Sequence, residues 1–211
     1  IVDPELMYSM PKGLTAATGM DALTHAIESY ITPGAWAMSD MFELKAIEMI
    51  AQNLKAAVDN GKDVVAREAM SQAQYIAGMG FSNVGLGIVH SMAHPLGAFY
   101  DTPHGVANAL LLPYVMEYNA ESSAAPKYIN IAKAMGVDTT GMSEAEGVKA
   151  AIEAVKALSL SIGIPQKLHE INVKEEDIPA LAVAAFNDVC TGGNPRPTSV
   201  EDIEALYHKA F

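Results

Sequence analysis

The sequence predicts an all-α fold, a helical bundle of about eight or nine helices. Apolar residues recur every three or four positions along most of the chain, which is the spacing of the buried face of an amphipathic helix. Helix start and stop signals separate these stretches, and the alternation of polar and apolar residues that marks a strand is scarce. With 211 residues, of which 50% are hydrophobic, the chain can bury a full-sized core.

The first long helix is expected to begin near Pro11, because proline has no backbone N–H to leave unpaired in the first turn. Asp21 and His25 are four residues apart, so their side chains share one side of this helix. Pro33 and Gly34 are expected to end it. Its apolar stripe comprises Met20, Leu23, Ile27, Tyr30 and Ile31.

Two further helices are predicted before the middle of the chain. Ser39 can cap the second helix, and Asp63 can start a third that runs to about Met79. The stretch GMGFSNVGLG, residues 78–87, has four glycines in ten positions. Glycine permits unusual backbone angles and close approach, so either close approach of the backbone or a bent connection is expected there.

Three of the six histidines fall in one segment, VGLGIVHSMAHPLGAFYDTPHGV, residues 84–106. A short helix is expected to carry His90 and His94 on one face, since they are four residues apart. Pro103 suits the first turn of the next helix. This places His104 at a helix start, where a turn can bring it back towards the other two histidines.

The second half of the chain continues as helices with recognisable ends. Ser143 and Glu146 form a capping box, in which the two side chains bond to each other's backbone N–H at a helix start. Thr198 and Glu201 have the same spacing and precede the last helix. Additional helices are expected over roughly 124–135 and 175–190.

Asp21, His25, His90, His94 and His104 are the candidate metal ligands. An i, i+4 pair on a helix presents two donors side by side, and the sequence offers that geometry twice. Five candidates compete for about four coordination positions, and spacing alone does not decide between His90 and His94. A carboxylate with imidazoles and no thiolate suits Fe(II) or Zn(II). Such an ion can activate an alcohol or polarise an aldehyde.

Composition argues against several other classes of protein. The net charge of −12 and the pI of about 4.8 disfavour a nucleic-acid-binding surface, which would be basic. No apolar run reaches the length of about 18 residues that a membrane span needs, and no secretory signal is expected. The single cysteine, Cys190, permits no internal disulfide and fits a cytoplasmic location.

The chain opens on IVDPELM, without an initiator methionine. An apolar pair that leads into Asp-Pro is typical of the end of a buried strand that runs into a loop. The rest of the sequence predicts no partner for such a strand, so we expect an upstream domain that this chain lacks.

Three segments, GMDALTHAIESYI, GFSNVGLGIVHSMAHPLGAFYDTPHGVANALLLPYVMEYN and DVCTGGNPR, resemble the iron-containing (group III) alcohol dehydrogenases. The similarity extends over essentially the whole chain. It implies that residues 1–211 form the C-terminal helical, metal-binding catalytic domain of a dehydroquinate synthase-like fold. It also implies that the N-terminal α/β domain, which binds NAD, is absent here. The glycine-rich stretch lacks the strand-before-helix context of a dinucleotide-binding fingerprint.

The resemblance implies roles for individual residues. By motif position, the metal ligands are Asp21, His25, His90 and His104. His94 matches a catalytic histidine that lies beside the metal and the nicotinamide. Phe81 and Cys190 match positions that line the substrate and cofactor pocket, although either residue type is equally common in a core.

The implied activity is NAD-dependent, metal-assisted hydride transfer between a short-chain alcohol or diol and its aldehyde, with Fe2+ or alternatively Zn2+. The implied partners are the small-molecule substrate, the absent NAD-binding domain and a second copy in a homodimer. Alternatives are another short-chain alcohol or 1,3-propanediol dehydrogenase, or an enzyme of the wider fold with fewer histidine ligands. A non-catalytic metal-binding module is the alternative from a different class.

Overall fold

The computed structural model describes residues 2–211 and confirms the all-α prediction for that part of the chain. Among these residues there are nine α-helices, several short 3₁₀ turns and no β-strand. The helices are α1 (Lys12–Ile31), α2 (Ala37–Asp59), α3 (Val64–Val84), α4 (Ile88–Tyr100), α5 (His104–Asn119), α6 (Tyr128–Ala134), α7 (Glu144–Ser161), α8 (Ile178–Phe186) and α9 (Val200–Ala210).

Helices α1 and α5 each pack against several other helices of the bundle. Helix α1 packs against α2, α3 and α5, and α5 also packs against α4, α7 and α9. The two helices meet closely at Gly105, where a Cβ atom would overlap the backbone of Ala17. Because His104 precedes Gly105, this close approach brings the start of α5 against the middle of α1.

Several predicted helix ends are confirmed. Helix α1 begins directly after Pro11. Asp63 caps α3, since its side chain accepts a hydrogen bond from the backbone N–H of Ala66 at 3.0 Å. The capping box of Ser143 and Glu146 is present at the start of α7. These signals act over three or four residues and need no distant partner.

The predicted cap of α2 is wrong by a few residues. The helix begins at Ala37, so Ser39 lies within its first turn rather than before it. The Ser39 hydroxyl still serves the helix start, because it accepts a hydrogen bond from the backbone N–H of Trp36 at 2.9 Å.

The predicted capping box of Thr198 and Glu201 is also wrong. Ser199 and Asp202, one residue later, form the box: the Asp202 carboxylate accepts from Ser199 N at 2.9 Å, and the Ser199 hydroxyl accepts from Asp202 N at 3.2 Å. The Thr198 hydroxyl instead donates to the backbone oxygen of Arg196 at 2.9 Å. Both pairs have the spacing of a capping box, and the conformation of the preceding loop determines that Ser199 and Asp202 form it.

The glycine-rich stretch is helical as far as Val84, and both predicted features are present in it, a bent connection at Gly85 and close approach at Gly80. Helix α3 continues past Met79 to Val84 and ends at Gly85, which has a φ of +86°. Gly80 is needed for close packing, because a Cβ atom there would overlap the side chain of Glu43 on α2. The sequence alone does not show which glycine permits close packing and which one permits a bend.

The single helix predicted over 175–190 is divided. Pro179 occupies the first turn of α8, which favours a helix start at that point, and α8 ends at Phe186. Asp188 then caps a 3₁₀ turn, Val189–Gly193. The break places Asp188 near the histidines, as described below.

The strand predicted at the start of the chain is not found in the described residues. Val2 is 37% exposed, and a 3₁₀ turn, Pro4–Met7, follows it. Ile1 lies outside the described residues. Within residues 2–211, no helix is both long and apolar enough to cross a membrane.

Glu43 is a fully buried acid between α2 and α3. Neither of its carboxylate oxygens has a hydrogen-bond partner among the described residues. Burial raises the pKa of Glu43 from its usual 4.5 to about 8, an effect that the nearby Ser29 hydroxyl offsets only in part. Glu43 is therefore protonated in the folded protein at neutral pH.

The raised pKa of Glu43 predicts a pH-dependent stability. The folded state keeps a proton that the unfolded chain loses near pH 4.5, so the free energy of unfolding should fall as the pH rises from about 4.5 to about 8. The slope from one such group is at most about 1.4 kcal/mol per pH unit. Denaturant melts of the wild type and of Glu43→Gln across this range isolate the effect, since the variant should lack this part of the slope. Parallel curves for the two proteins would contradict the prediction.

Candidate metal centre

Three helices bring the predicted ligands together. Asp21 and His25 lie on α1, His90 on α4, and His104 at the first position of α5. His104 Nε2 lies 3.5 Å and His90 Nε2 lies 3.8 Å from the same oxygen, Asp21 Oδ1. Ligand atoms from Asp21, His90 and His104 all lie within 4.8 Å of one another, within reach of a single ion.

Hydrogen bonds at Nδ1 leave the Nε2 lone pairs of His25 and His90 available, whereas that of His104 is shared with an amide. The Nδ1 atom of His25 donates to the backbone oxygen four residues earlier at 2.8 Å, and that of His90 donates to Glu28 Oε2 at 2.5 Å. Both acceptors require a hydrogen on Nδ1. The Nε2 atom of His104 accepts a hydrogen bond from Asn108 Nδ2 at 3.0 Å. A neutral imidazole with a free lone pair is the form that binds metals.

The surroundings of His90 Nε2 bear on whether the site fits a metal. The residue is 1% exposed, and this nitrogen has no hydrogen-bond partner among the described residues. A buried polar atom without a partner costs free energy and calls for an explanation. Because the atom faces Asp21 and His104, a divalent cation would satisfy it. The donor set, an aspartate and imidazoles without thiolate, fits Fe2+ or Zn2+.

His25 lies at the edge of the group. Its ring centroid is 4.4 Å from that of His90, and the ring stacks on Phe81 at 4.5 Å with an interplanar angle of 27°. Its ligand atom lies outside the compact group of Asp21, His90 and His104. Its role as a fourth ligand therefore stays a prediction.

The surroundings set the charge states of the histidines. Burial and the neighbouring His90 lower the pKa of His25. Burial also lowers the pKa of His104, and the Asp21 carboxylate offsets this only in part. Burial acts in the same direction on His90, but the Glu28 carboxylate outweighs it and leaves the pKa of His90 raised. Lowered pKa values favour the neutral imidazoles that a metal requires.

His94 differs from His90 in its hydrogen-bond partner and in the exposure of its side chain. Its Nδ1 atom lies 2.7 Å from Asp188 Oδ2, and its side chain is 43% exposed. The ring stacks on His104, with centroids 5.4 Å apart. The geometry thus places His90 Nε2 in the compact group with Asp21 and His104, and the ring of His94 beside that group.

The two predicted pocket residues differ in their surroundings. Phe81 lines a cavity of about 470 Å³ together with Asp21 and His25, and this cavity extends to Arg67. Cys190 joins the site through Asp188, which accepts a hydrogen bond from its backbone N–H at 2.9 Å. Burial raises the pKa of the Cys190 thiol to about 12, so it is a neutral group rather than a nucleophile.

Sequence analysis missed three side chains that contact the candidate ligands. Glu28 bonds to His90, Asn108 bonds to both Asp21 and His104, and Asp188 bonds to His94. Glu28 is at i+7 from Asp21 and Asn108 is at i+4 from His104, so helical spacing offered a signal for these two. Asp188 is 94 residues from His94, and no local pattern links them.

The family model described as "Fe-containing alcohol dehydrogenase family, C-terminal" matches residues 15–211. The chain belongs to this family. Lactaldehyde reductase of Escherichia coli (strain K12) is 60% identical over 210 residues, which are 100% of this chain and 54% of that protein. NAD-dependent methanol dehydrogenase of Bacillus methanolicus is 46% identical over 211 residues, covering 100% of this chain and 55% of the relative.

The fold agrees with that of solved family members. The crystal structure of a 1,3-propanediol oxidoreductase superimposes with a TM-score of 0.97 at 48% identity, over 99% of this chain and 55% of the other. The chain thus spans about half the length of the relatives it matches.

The site geometry predicts how metal binding depends on single histidines. His90→Ala and His104→Ala each remove an imidazole from the compact group. Loss of a residue that only holds a metal ligand typically lowers metal affinity by about 10- to 100-fold, so loss of the imidazole itself should lower it further. His208→Ala is a matched control, because His208 lies on α9 and faces Glu175 and Glu204. Titration calorimetry with Zn2+ measures the effect. Wild-type affinity in either variant would rule out this ligand set.

Proposed function

We propose that this chain forms the metal- and substrate-binding part of an NAD-dependent alcohol dehydrogenase. The observation that carries the proposal is the convergence of Asp21, His90 and His104, in which the buried Nε2 atom of His90 has no hydrogen-bond partner within residues 2–211. Family membership supports a dehydrogenase over the other chemistries of such a site.

We propose Asp21, His25, His90 and His104 as the ligands of Fe2+, with Zn2+ as the alternative. When bound, a divalent cation acts as a Lewis acid on an alcohol or aldehyde oxygen, while NAD(H) accepts or supplies the hydride. Elemental analysis after anaerobic purification would identify the ion, since these ligands suit both metals.

His94 is proposed as the catalytic residue that holds or moves a proton near the substrate oxygen. The Asp188 carboxylate accepts the Nδ1 hydrogen of His94, which leaves the lone pair on Nε2 of a side chain that is 43% exposed. Burial would raise the pKa of Asp188, but the Cys190 backbone N–H and His94 outweigh this, so the pKa is lowered and the carboxylate stays charged. Asp188 therefore positions His94 in one tautomer.

The proposed substrate pair is lactaldehyde and propane-1,2-diol. It rests on the 60% identity to a lactaldehyde reductase. The 48% identity to a 1,3-propanediol oxidoreductase keeps that diol as the second candidate. Phe81, which lines the cavity beside His25, is proposed to contact the substrate or cofactor, and Cys190 to do so from the side of Asp188.

The remaining proposals concern groups outside these residues. Because residues 2–211 contain no β-strand and the sequence has no dinucleotide-binding fingerprint, we propose that a separate α/β domain binds NAD(H). A homodimeric assembly and a cytoplasmic location are also proposed, the latter resting on the single cysteine.

The activity can be tested in two forms of the protein. The 211-residue chain alone should bind metal but should not oxidise NADH in the presence of lactaldehyde. A fusion to the N-terminal part of the Escherichia coli lactaldehyde reductase should restore turnover. Turnover by the chain alone would disprove the separate NAD domain. A fusion that binds metal and NADH but turns over neither lactaldehyde nor the 1,3-propanediol pair would favour a non-catalytic module.

Asp188→Asn tests the role of His94 in the same fusion. The amide would offer an N–H to His94 Nδ1 and favour the other tautomer, so kcat should fall by about 100-fold or more while KM and metal content change little. Asp177→Asn is the control, because Asp177 bonds to Tyr100 rather than to a histidine. Equal kcat values for the two variants would contradict the assigned role of Asp188.

A further inference from the structure

Glu28 is a buried carboxylate on the same face of α1 as Asp21 and His25, at positions i+7 and i+3 from them. It is 2% exposed and reaches across to the start of α4. Its Oε1 atom accepts a hydrogen bond from the backbone N–H of Val89 at 2.7 Å, and its Oε2 atom accepts from His90 Nδ1 at 2.5 Å. Both oxygens are therefore engaged by α4.

These contacts determine which nitrogen of His90 carries the hydrogen. A carboxylate offers only acceptors, so His90 Nδ1 must be a donor. The lone pair of the neutral ring is then on Nε2, the buried atom that faces Asp21 without a partner. With the hydrogen on Nε2 instead, two acceptors would face each other at Nδ1.

Glu28 is also fixed in place by the start of α4. Gly87, the N-cap of α4, has no side chain to bond to the first N–H groups, and Glu28 serves Val89 instead. A Cβ atom at Gly87 would lie 2.9 Å from Glu28 Oε1, so the carboxylate occupies the space that a side chain there would need. The orientation of His90 and the first turn of α4 are thus tied to one acidic group.

We propose that Glu28 is a positioning residue for the metal site. It fixes the tautomer and the orientation of His90 and thereby sets the metal affinity. This inference rests on the proposed metal-binding function. Carboxylates that hold the second nitrogen of a metal-binding histidine typically contribute 10- to 100-fold, roughly, to affinity.

Glu28→Gln gives a specific expectation. The amide has one acceptor oxygen and one donor nitrogen, and it faces two groups. The Val89 backbone N–H can only donate, whereas His90 Nδ1 can donate or accept. The arrangement with every group paired places the amide oxygen on Val89 and its N–H on His90 Nδ1. His90 then carries its hydrogen on Nε2 and has no lone pair for the metal.

Two measurements on the protein test the proposal. Chelator competition with Zn2+ should show about 10- to 100-fold weaker binding for Glu28→Gln. Histidine ¹⁵N NMR of the metal-free protein, at a pH where the ring is neutral, should place the His90 hydrogen on Nδ1 in the wild type and on Nε2 in the variant. Glu43→Gln is the control, because it alters an equally buried glutamate that has no hydrogen bond to a histidine. It should change neither result.

The outcomes separate this inference from the function on which it rests. Wild-type Zn2+ affinity in a folded Glu28→Gln protein, or an unchanged His90 tautomer, would overturn the role of Glu28. Loss of affinity to the same extent in Glu43→Gln would overturn it as well. If Glu28→Gln does not fold, the wild-type spectrum decides, since a hydrogen on His90 Nε2 would disprove the proposal. A wild type that binds no metal would instead refute the proposed function.

Discussion

Helix α1 is buried over most of its length and also carries Asp21, His25 and Glu28 on one face. Buried polar groups destabilise a fold unless they are paired, so the neighbouring helices have to supply partners. Helix α4 supplies a backbone N–H and the imidazole of His90 to Glu28, and α5 supplies the Asn108 amide to Asp21. The placement of α4 and α5 against α1 is thus constrained by polar pairing as well as by apolar packing.

One side of the site is enclosed and the other is open. His90 is 1% exposed, whereas the side chains of His94 and His104 are each 43% exposed. The enclosed side has the fixed hydrogen bonds that hold ligands rigidly. The open side leaves His94, oriented by Asp188, accessible to small molecules.

Sequence reasoning succeeded where the signal is local. The start of α1 after Pro11, the Asp63 cap and the Ser143–Glu146 capping box depend on bonds within three or four residues. It failed where two local signals compete or where contact decides. Ser199 and Asp202 displaced an equivalent pair one residue earlier, and only the packed helices show that Gly80 is the glycine that permits close approach to α2.

The sequence by itself determined the helical fold class and the candidate ligands, because helical periodicity and histidine spacing are written into neighbouring residues. The resemblance of long motifs then indicated the family. Spacing did not separate His90 from His94, the resemblance favoured His90, and the tertiary structure places His90 against Asp21. Only the tertiary structure decided that Glu28 and Asp188 hold these two rings. Glu28 and Asp188 are 62 and 94 residues from their histidines, so their pairing depends on how whole helices pack and not on any local pattern.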